Sequence, residues 1–139
     1  MYLLDTTIVS ELRKVRSGKA NPQVSQWADG VRTQDLFLSV ITIQELEIGV
    51  LLKERQDESQ GSILRQWLMS QVLPAFDGRI LPVDLEIAQR SGRLHVPDPR
   101  PIRDGLIAAT ALVHDLVLVT RNVADFTGTG LVILNPWEL

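Results

Sequence analysis

Three acidic residues, Asp5, Glu45 and Asp104, each stand near a point where an apolar or proline-rich stretch gives way to a helical one. Asp5 directly follows the apolar run 2–4, and Glu45 lies shortly after the apolar run 36–40. In open parallel sheets, ligands bind beyond the carboxyl ends of the strands, where the following loops and helices begin. The sequence therefore predicts that these carboxylates meet at one edge of a sheet.

Carboxylates gathered in one place repel each other, which raises the pKa of at least one of them unless a divalent cation lies at the centre. Ligands that are all oxygen favour Mg²⁺ or Mn²⁺ over zinc. An ion held in this way generates hydroxide from bound water and neutralises charge on a phosphodiester. The pattern makes phosphodiester hydrolysis the leading enzymatic hypothesis.

Purely structural interpretations exist for two of the three acids. Asp104 follows the proline-rich segment 97–101 and precedes strong helix formers, which predicts an N-cap or first-turn position where a carboxylate accepts backbone hydrogen bonds. Thr42 and Glu45 have the spacing of a capping box, with Glu45 at the third helical position. Either interpretation stands as long as each residue is considered alone.

Strand-like and helix-like segments alternate along the whole chain. Short apolar runs predict strands at 2–4, 36–40, 79–83, 116–120 and 131–134, and intervening segments predict helices near 8–13, 24–31, 42–52, 63–73, 85–94 and 104–113. This alternation predicts a single three-layer α/β/α domain, residues 1–139, with a central parallel sheet. No internal repeat or linker divides it.

The middle of the chain carries a polar segment and an amphipathic one. The polar segment, 53–61, predicts a loop. Beyond it, apolar residues recur at helical spacing and predict a helix that closes at Pro74. This stripe is either core or dimer surface, and its candidate dimer contacts are Leu64, Trp67 and Leu68.

Composition excludes several classes of protein. The 139 residues contain no cysteine, so disulfides, thiolate zinc sites and cysteine nucleophiles are excluded. No apolar run is long enough for a membrane span and no export signal is recognisable, so we expect a soluble protein in the cytoplasm. The net charge of −3 provides no global attraction for nucleic acid. Local basic clusters are Arg13, Lys14, Arg16 and Lys19, and Arg90, Arg93, Arg100 and Arg103.

Motifs for other chemistries are missing. The chain has no G-x-S-x-G elbow, no Walker glycine loop and no G-x-G-x-x-G, which removes the parts needed by triad hydrolases, P-loop enzymes and dinucleotide-binding enzymes. His95 and His114 lack metal-ligand spacing with each other, and neither is given a role.

Four motifs in order resemble the PIN-domain endoribonucleases of the VapC toxin type, and among them the FitB-like branch. They are the segments Leu4-Asp5-Thr6-Thr7, Ile41-Thr42-Ile43-Gln44-Glu45-Leu46 with Gly49, Asp104-Gly105-Leu106-Ile107-Ala108-Ala109-Thr110-Ala111, and Val119-Thr120-Arg121-Asn122 with Asp125-Phe126. The terminal segment Asn135-Pro136-Trp137-Glu138-Leu139 also resembles that branch. Singly each motif is weak, but together they span nearly the whole chain.

The resemblance implies a metal-dependent ribonuclease toxin of a type II toxin–antitoxin system. It implies Asp5, Glu45 and Asp104 as metal ligands for Mg²⁺ or Mn²⁺, and these three with Asn122 as the catalytic set. It further implies a homodimer and a VapB-like or FitA-like antitoxin whose C-terminal segment covers the groove. Toxin and antitoxin would form a heterotetramer or a larger assembly, with DNA bound only through the antitoxin.

The chain departs from the family pattern at two positions. The family often has Asp where Asn122 stands, and Asn where Thr7 stands. Because an amide oxygen carries no charge, a second metal ion would be held less firmly at Asn122. Asp125 replaces it as fourth ligand only if its loop turns inward, so the fourth ligand is either Asn122 or Asp125.

Other functions compete with the ribonuclease hypothesis. A metal-poor PIN-like module that acts by docking a partner is favoured by Asn122. A phosphoacceptor receiver domain normally needs an early acidic pair and a lysine after a late strand, and the only lysines here are Lys14, Lys19 and Lys53. A flap-type DNA nuclease usually needs longer insertions than this chain has.

Overall fold

The computed structural model describes all residues from Met1 to Leu139, and its centre is a five-stranded parallel sheet. The strands are β1 Tyr2–Leu4, β2 Leu36–Ser39, β3 Ile80–Leu81, β4 Val117–Val119 and β5 Ile133–Leu134. Their order across the sheet is β3-β2-β1-β4-β5, and every neighbouring pair is parallel. The predicted strands are all present, although most are shorter than their apolar runs.

Helices connect and cover these strands. They are α1 Thr6–Leu12, α2 Pro22–Asp29, α3 Val40–Gln56, α4 Glu58–Trp67, α5 Leu73–Ala75, α6 Leu85–Leu94 and α7 Ile102–Val113, with a π-helical turn at Leu68–Val72 between α4 and α5. Short 3₁₀ turns occupy Thr33–Asp35, Val123–Phe126 and Pro136–Glu138. None of these helices is both long and apolar enough to cross a membrane.

The two faces of the sheet bury separate cores, which confirms the three-layer prediction. Leu4 points into a cluster with Ile8 of α1, whereas its neighbour Leu3 joins a cluster with Ile107 of α7. Successive side chains of a strand alternate between faces, and all four of these residues are fully buried. A strand with both faces covered requires the near-continuous apolar runs seen in the sequence.

The order of the strands determines where a ligand site can form. Strand β1 lies at the centre, with β2 on one side and β4 on the other. The chain moves outward from β1 to β2 and β3, then returns across the sheet to β4 and β5. The carboxyl end of β1 is therefore the topological switch point, and Asp5 is the first residue beyond it.

The predicted loop at 53–61 is wrong, because helices α3 and α4 are separated only by Asp57. The Asp57 side chain caps α4 by accepting a hydrogen bond from the backbone N–H of Gln60. Gly61 then approaches α3 so closely that a Cβ there would lie 2.4 Å from Cα of Glu54. The polar residues of this segment form the solvated faces of an antiparallel helix pair.

The three candidate dimer contacts differ in how deeply the structure buries them. Leu68 is 1% exposed and belongs to the core beneath α4, so its assignment as a dimer contact is wrong. Leu64 and Trp67 pack partly against the same core, while Ile63 is exposed. The helix stripe is therefore mainly core.

Candidate active site

Asp5 is the most buried carboxylate of the site, with 6% exposure, and it caps helix α1. Its Oδ1 accepts a 2.8 Å hydrogen bond from the backbone N–H of Thr6. Its Oδ2 accepts a 2.8 Å bond from the Thr120 hydroxyl and a 3.4 Å bond from the Thr7 hydroxyl. Burial raises the pKa of the Asp5 carboxyl, although these hydrogen bonds pull that pKa downward.

The threonines that surround Asp5 also fix the loop after β4. Thr120 is fully buried, and its hydroxyl oxygen accepts a 3.0 Å hydrogen bond from the backbone N–H of Asn122. The Thr7 hydroxyl oxygen accepts a 3.4 Å bond from the backbone N–H of Arg121. Because both hydroxyls also contact Asp5, the loop that carries Asn122 is tied directly to the acidic site.

Asp104 lies in the first turn of α7, as predicted, but it does not cap that helix. The N-cap residue is Pro101, and no side chain caps the helix. Asp104 is half-buried, and burial raises the pKa of its carboxyl; the charges of Asp125, Asp5 and Glu45 raise it further and Arg103 lowers it. The capping interpretation of Asp104 is wrong, because its carboxylate accepts no hydrogen bond from the backbone at the start of α7.

Asp125 is the acid whose charge acts most strongly on Asp104. It belongs to the 3₁₀ turn Val123–Phe126, and the buried ring of Phe126 anchors that turn in the core. Asp125 is itself exposed, and its role as fourth ligand stays a prediction. Asn122 is exposed and precedes the turn, but its side chain does not cap it.

Glu45 reaches the site from the second turn of α3, so the predicted capping box is wrong. Helix α3 begins immediately after β2, and the cap is Ser39, whose Oγ accepts a 3.0 Å bond from the N–H of Ile41. Glu45 Oε1 accepts a 2.6 Å bond from the Thr6 hydroxyl, and Oε2 lies 3.3 Å from Nε of Arg103. The residue that the capping box required, Thr42, is buried with its hydroxyl unpaired.

The donor chemistry of this site fits a hard divalent cation. The nearby side-chain groups are carboxylates and hydroxyls, which are ligands for Mg²⁺ or Mn²⁺. In the arrangement of the structure, no three acidic or histidine groups lie close enough together to hold one ion. Glu45 is engaged by the Thr6 hydroxyl and by Arg103.

The basic side chains near the site make different contacts. Arg100, predicted as part of a basic cluster, donates hydrogen bonds to the carbonyl oxygens of Leu94 and Thr127 and so braces the loop before α7. Arg121, which the sequence clusters missed, lies beside the site with its guanidinium 5.2 Å from the ring centre of Trp137. Its position two residues after the end of β4 was the signal that could have found it.

Both histidines stay outside the site. The Nδ1 of His95 accepts a 3.3 Å hydrogen bond from the backbone N–H of Arg100, and its ring packs beside Gly105. A Cβ at Gly105 would lie 3.0 Å from His95 Nε2, so this contact limits what position 105 accepts. His114 is the exposed residue that ends α7.

The chain is similar to several known proteins. A family model described as PIN domain matches residues 2–127. The chain is 36% identical over 143 residues to the VapC ribonuclease Y4jK of Sinorhizobium fredii, and 35% identical over 143 residues to the toxin FitB of Neisseria gonorrhoeae. Each alignment covers 99% of both proteins. The crystal structure of FitAcB from Neisseria gonorrhoeae superposes with a TM-score of 0.89 at 34% identity and covers 100% of both chains.

Proposed function

Because this chain belongs to the PIN-domain family, we propose that it is a metal-dependent endoribonuclease toxin of a type II toxin–antitoxin system. The observation that carries the proposal is the clustering of acids at the switch point of the sheet. Asp5 and Asp104 arrive there from positions far apart in the chain, and the pKa of each carboxyl is raised. Perturbed carboxyls of this kind mark functional sites.

PIN-domain ribonucleases generally depend on a divalent metal ion, and Asp5, Glu45 and Asp104 are the residues that would hold it here. When bound, such an ion supplies a nucleophilic hydroxide and offsets the negative charge of the RNA phosphodiester. The ion is Mg²⁺ or Mn²⁺, since the donors are oxygen atoms. Asn122 and Asp125 are the two candidates for a fourth oxygen ligand, and Asp125 has the stronger electrostatic coupling to Asp104.

The protein's own groups prepare the site before RNA binds. The hydroxyls of Thr120 and Thr7 orient the Asp5 carboxylate by donating hydrogen bonds to its Oδ2. The Thr6 hydroxyl orients Glu45 by donating a hydrogen bond to its Oε1. Hydrogen bonds to charged groups are stronger than those between neutral groups, so this network restricts both acids to a narrow set of orientations. Precise placement of charge is the main contribution that a protein makes to metal-assisted hydrolysis.

The proposed partner is a VapB-like or FitA-like antitoxin that covers the catalytic groove, with the toxin present as a homodimer. The two proteins would form a heterotetramer or a larger assembly in the cytoplasm. Since the chain has a net charge of −3 and a pI near 5.3, binding of the complex to DNA is assigned to the antitoxin.

The direct test is cleavage of a cellular RNA pool by the purified protein, free of partner, with Mg²⁺, with Mn²⁺ and with a chelator. We expect cleavage that requires metal and that is lost in Asp104→Asn. The matched control is Asp98→Asn, which removes a carboxylate from an exposed loop in the segment before α7. Equal cleavage by Asp104→Asn and the wild type would refute the proposed site.

One observation favours a second function, a docking module that binds its partner without cutting RNA. No three acids lie close enough to hold one ion without rearrangement, and Asn122 carries no charge. Calorimetric titration with Mg²⁺ and Mn²⁺ separates the two functions. Intact antitoxin binding with no metal binding would select the docking module, whereas metal binding that Asp104→Asn abolishes would select the nuclease.

A further inference from the structure

A groove runs from the acidic site along the surface between α1, α3 and α4. Its first hollow, of about 310 Å³, is lined among others by Thr6, Ser10, Arg13, Glu45 and Trp67. Thr6 and Glu45 are also joined to each other by the 2.6 Å hydrogen bond of the acidic site. The groove, which we call the α1–α4 groove, is therefore continuous with the place where a phosphodiester would be cut.

An aromatic side chain forms the far wall of this groove. Trp67 is partly buried, packs on the core with one part of its ring system, and lines two further hollows that adjoin the first. The guanidinium carbon of Arg13 lies 5.9 Å from the centre of the Trp67 ring, and Arg16 lines both further hollows. The wall thus combines a flat π surface with two exposed cations.

We infer that the α1–α4 groove seats one unpaired RNA nucleotide next to the scissile bond, with its base against Trp67 and its phosphate against Arg13. This inference rests on the proposed ribonuclease function and adds a substrate subsite to it. Single-stranded RNA is typically bound by stacking bases on aromatic side chains while cations follow the backbone. Phosphate contacts position the strand without reading its sequence.

The exposed cations Arg13 and Arg16 complement the phosphates of a nucleotide. Arg13 is exposed and forms no hydrogen bond or ion pair, and its cation–π contact with the Trp67 ring is one that a bound base would replace. Gly49 lines the same hollow, and nothing lies within 4 Å of the position that a Cβ would take there. The groove is therefore open beside Glu45, where the flanking nucleotide must leave the acidic site.

The test measures RNA binding separately from RNA cleavage. Asp104→Asn serves as a background that binds without cutting, and the probes are a labelled single-stranded oligoadenylate and a ribose-phosphate oligomer of equal length without bases. Adding Trp67→Leu removes the ring but keeps an apolar side chain on the core, while Trp67→Phe keeps a ring. Anisotropy titrations give the dissociation constants, and thermal unfolding verifies that each variant is folded.

We expect Trp67→Leu to weaken binding of the oligoadenylate about ten-fold and to leave binding of the abasic oligomer unchanged, since base stacking is the interaction removed. Trp67→Phe should restore most of the loss. Arg13→Gln should weaken binding of both probes and reduce the salt dependence by about one released counterion.

Two results overturn the subsite. One is equal binding of the oligoadenylate by Trp67→Leu and its parent, and the other is an equal loss for both probes. Loss of antitoxin binding by Trp67→Leu with RNA binding intact would also overturn it and would assign the groove to a peptide. Failure of the ribonuclease proposal is distinguishable, because a wild type that cuts no RNA can still show the base-dependent effect of Trp67→Leu.

Discussion

The hydroxyl of Thr120 donates a 2.8 Å hydrogen bond to Oδ2 of Asp5, and the two residues are separated by 115 positions in the chain. Both are buried at the carboxyl ends of neighbouring strands, β4 and β1. A buried carboxylate is costly without hydrogen bonds, so this contact stabilises the ionised form of Asp5 where the site needs it.

Replacing Thr120 by Val should therefore remove the largest hydrogen-bond contribution that lowers the pKa of Asp5. We expect the free energy of unfolding at pH 7 to fall by about 1–3 kcal/mol. Valine has nearly the same shape as threonine but no hydroxyl, so the buried Asp5 carboxylate loses a hydrogen-bond donor. Thr120→Ser, which keeps the hydroxyl, is the matched control and should bind Mn²⁺ like the wild type. Urea unfolding measures the stability, and calorimetry measures the Mn²⁺ affinity. Equal Mn²⁺ affinity in the Val and Ser variants would contradict a role of the Thr120 hydroxyl in the site.

The raised pKa of Asp104 predicts how stability depends on pH. A carboxyl whose pKa is higher in the folded state stabilises the fold when protonated, and that contribution is lost as the pH rises from below 3.8 through the raised value. Asp104→Asn lacks the charge and should exceed the wild type in stability at pH 7 by about 0.5–1 kcal/mol. The difference should vanish below about pH 3.8. Thermal unfolding of both proteins across this pH range measures the difference. If Asp104→Asn were less stable than the wild type at pH 7, charge repulsion at Asp104 would not destabilise the fold.

Asp125 and Asn122 should differ in their effect on metal binding. Because Asp125 is the charge that most strongly affects Asp104, Asp125→Asn should weaken Mn²⁺ binding about ten-fold. Asn122→Ala removes only an uncharged side chain and should have a smaller effect. Isothermal titration of both variants makes the comparison. A larger loss in Asn122→Ala would instead identify Asn122 as the fourth ligand.

Because Glu45 is a proposed metal ligand, its ion pair with Arg103 predicts an effect of Arg103 on metal binding. The 3.3 Å ion pair between Arg103 and Glu45 is half-exposed, so its removal should change the stability of the fold by less than about 1 kcal/mol. Arg103→Gln should nevertheless tighten binding of Mg²⁺ about two- to five-fold, since a positive charge leaves the site and Glu45 becomes free. Arg93→Gln, a change of the same charge on α6, is the control. Weaker Mg²⁺ binding in Arg103→Gln would show that the ion pair supports the site.

Two glycines of the α3–α4 pair should respond oppositely to alanine. A Cβ at Gly61 would lie 2.4 Å from the backbone of Glu54, so Gly61→Ala should separate the helices and cost about 1–3 kcal/mol. Gly49 lies in the middle of α3 with open space around it, so Gly49→Ala should gain about 0.5–1 kcal/mol through helix propensity. Denaturant unfolding of both variants tests the close approach. A neutral Gly61→Ala would show that the helices can shift apart freely.

Local patterns in the sequence were sufficient to predict the parallel sheet and its elements. The helix at 85–94 was predicted with its observed bounds, and the five strands lie within their apolar runs, because burial on both faces leaves a continuous apolar signature. The position of Asp5 after β1 followed from the same signature. The resemblance to a known family, carried by four short motifs, added RNA as the substrate and an antitoxin as the partner.

Contacts between distant segments could not be derived from such patterns. The capping box at Thr42 and the loop at 53–61 were plausible locally, but helix α3 begins earlier, at Val40 with Ser39 as its N-cap, and continues to Gln56. The sequence does not show which residue of a helix faces a neighbouring element, because that depends on where the helix begins and how it packs.

The sequence by itself therefore determined the fold class and the acids that could form a site, since secondary structure and charge are local properties. Only the tertiary structure decided that Asp104 lies within the electrostatic reach of Asp125 and does not cap its helix, that Glu45 pairs with Thr6 and Arg103, and that Trp67 and Glu45 line the same groove. These relationships depend on the order of parallel strands across the sheet, which brings together residues that are remote along the chain.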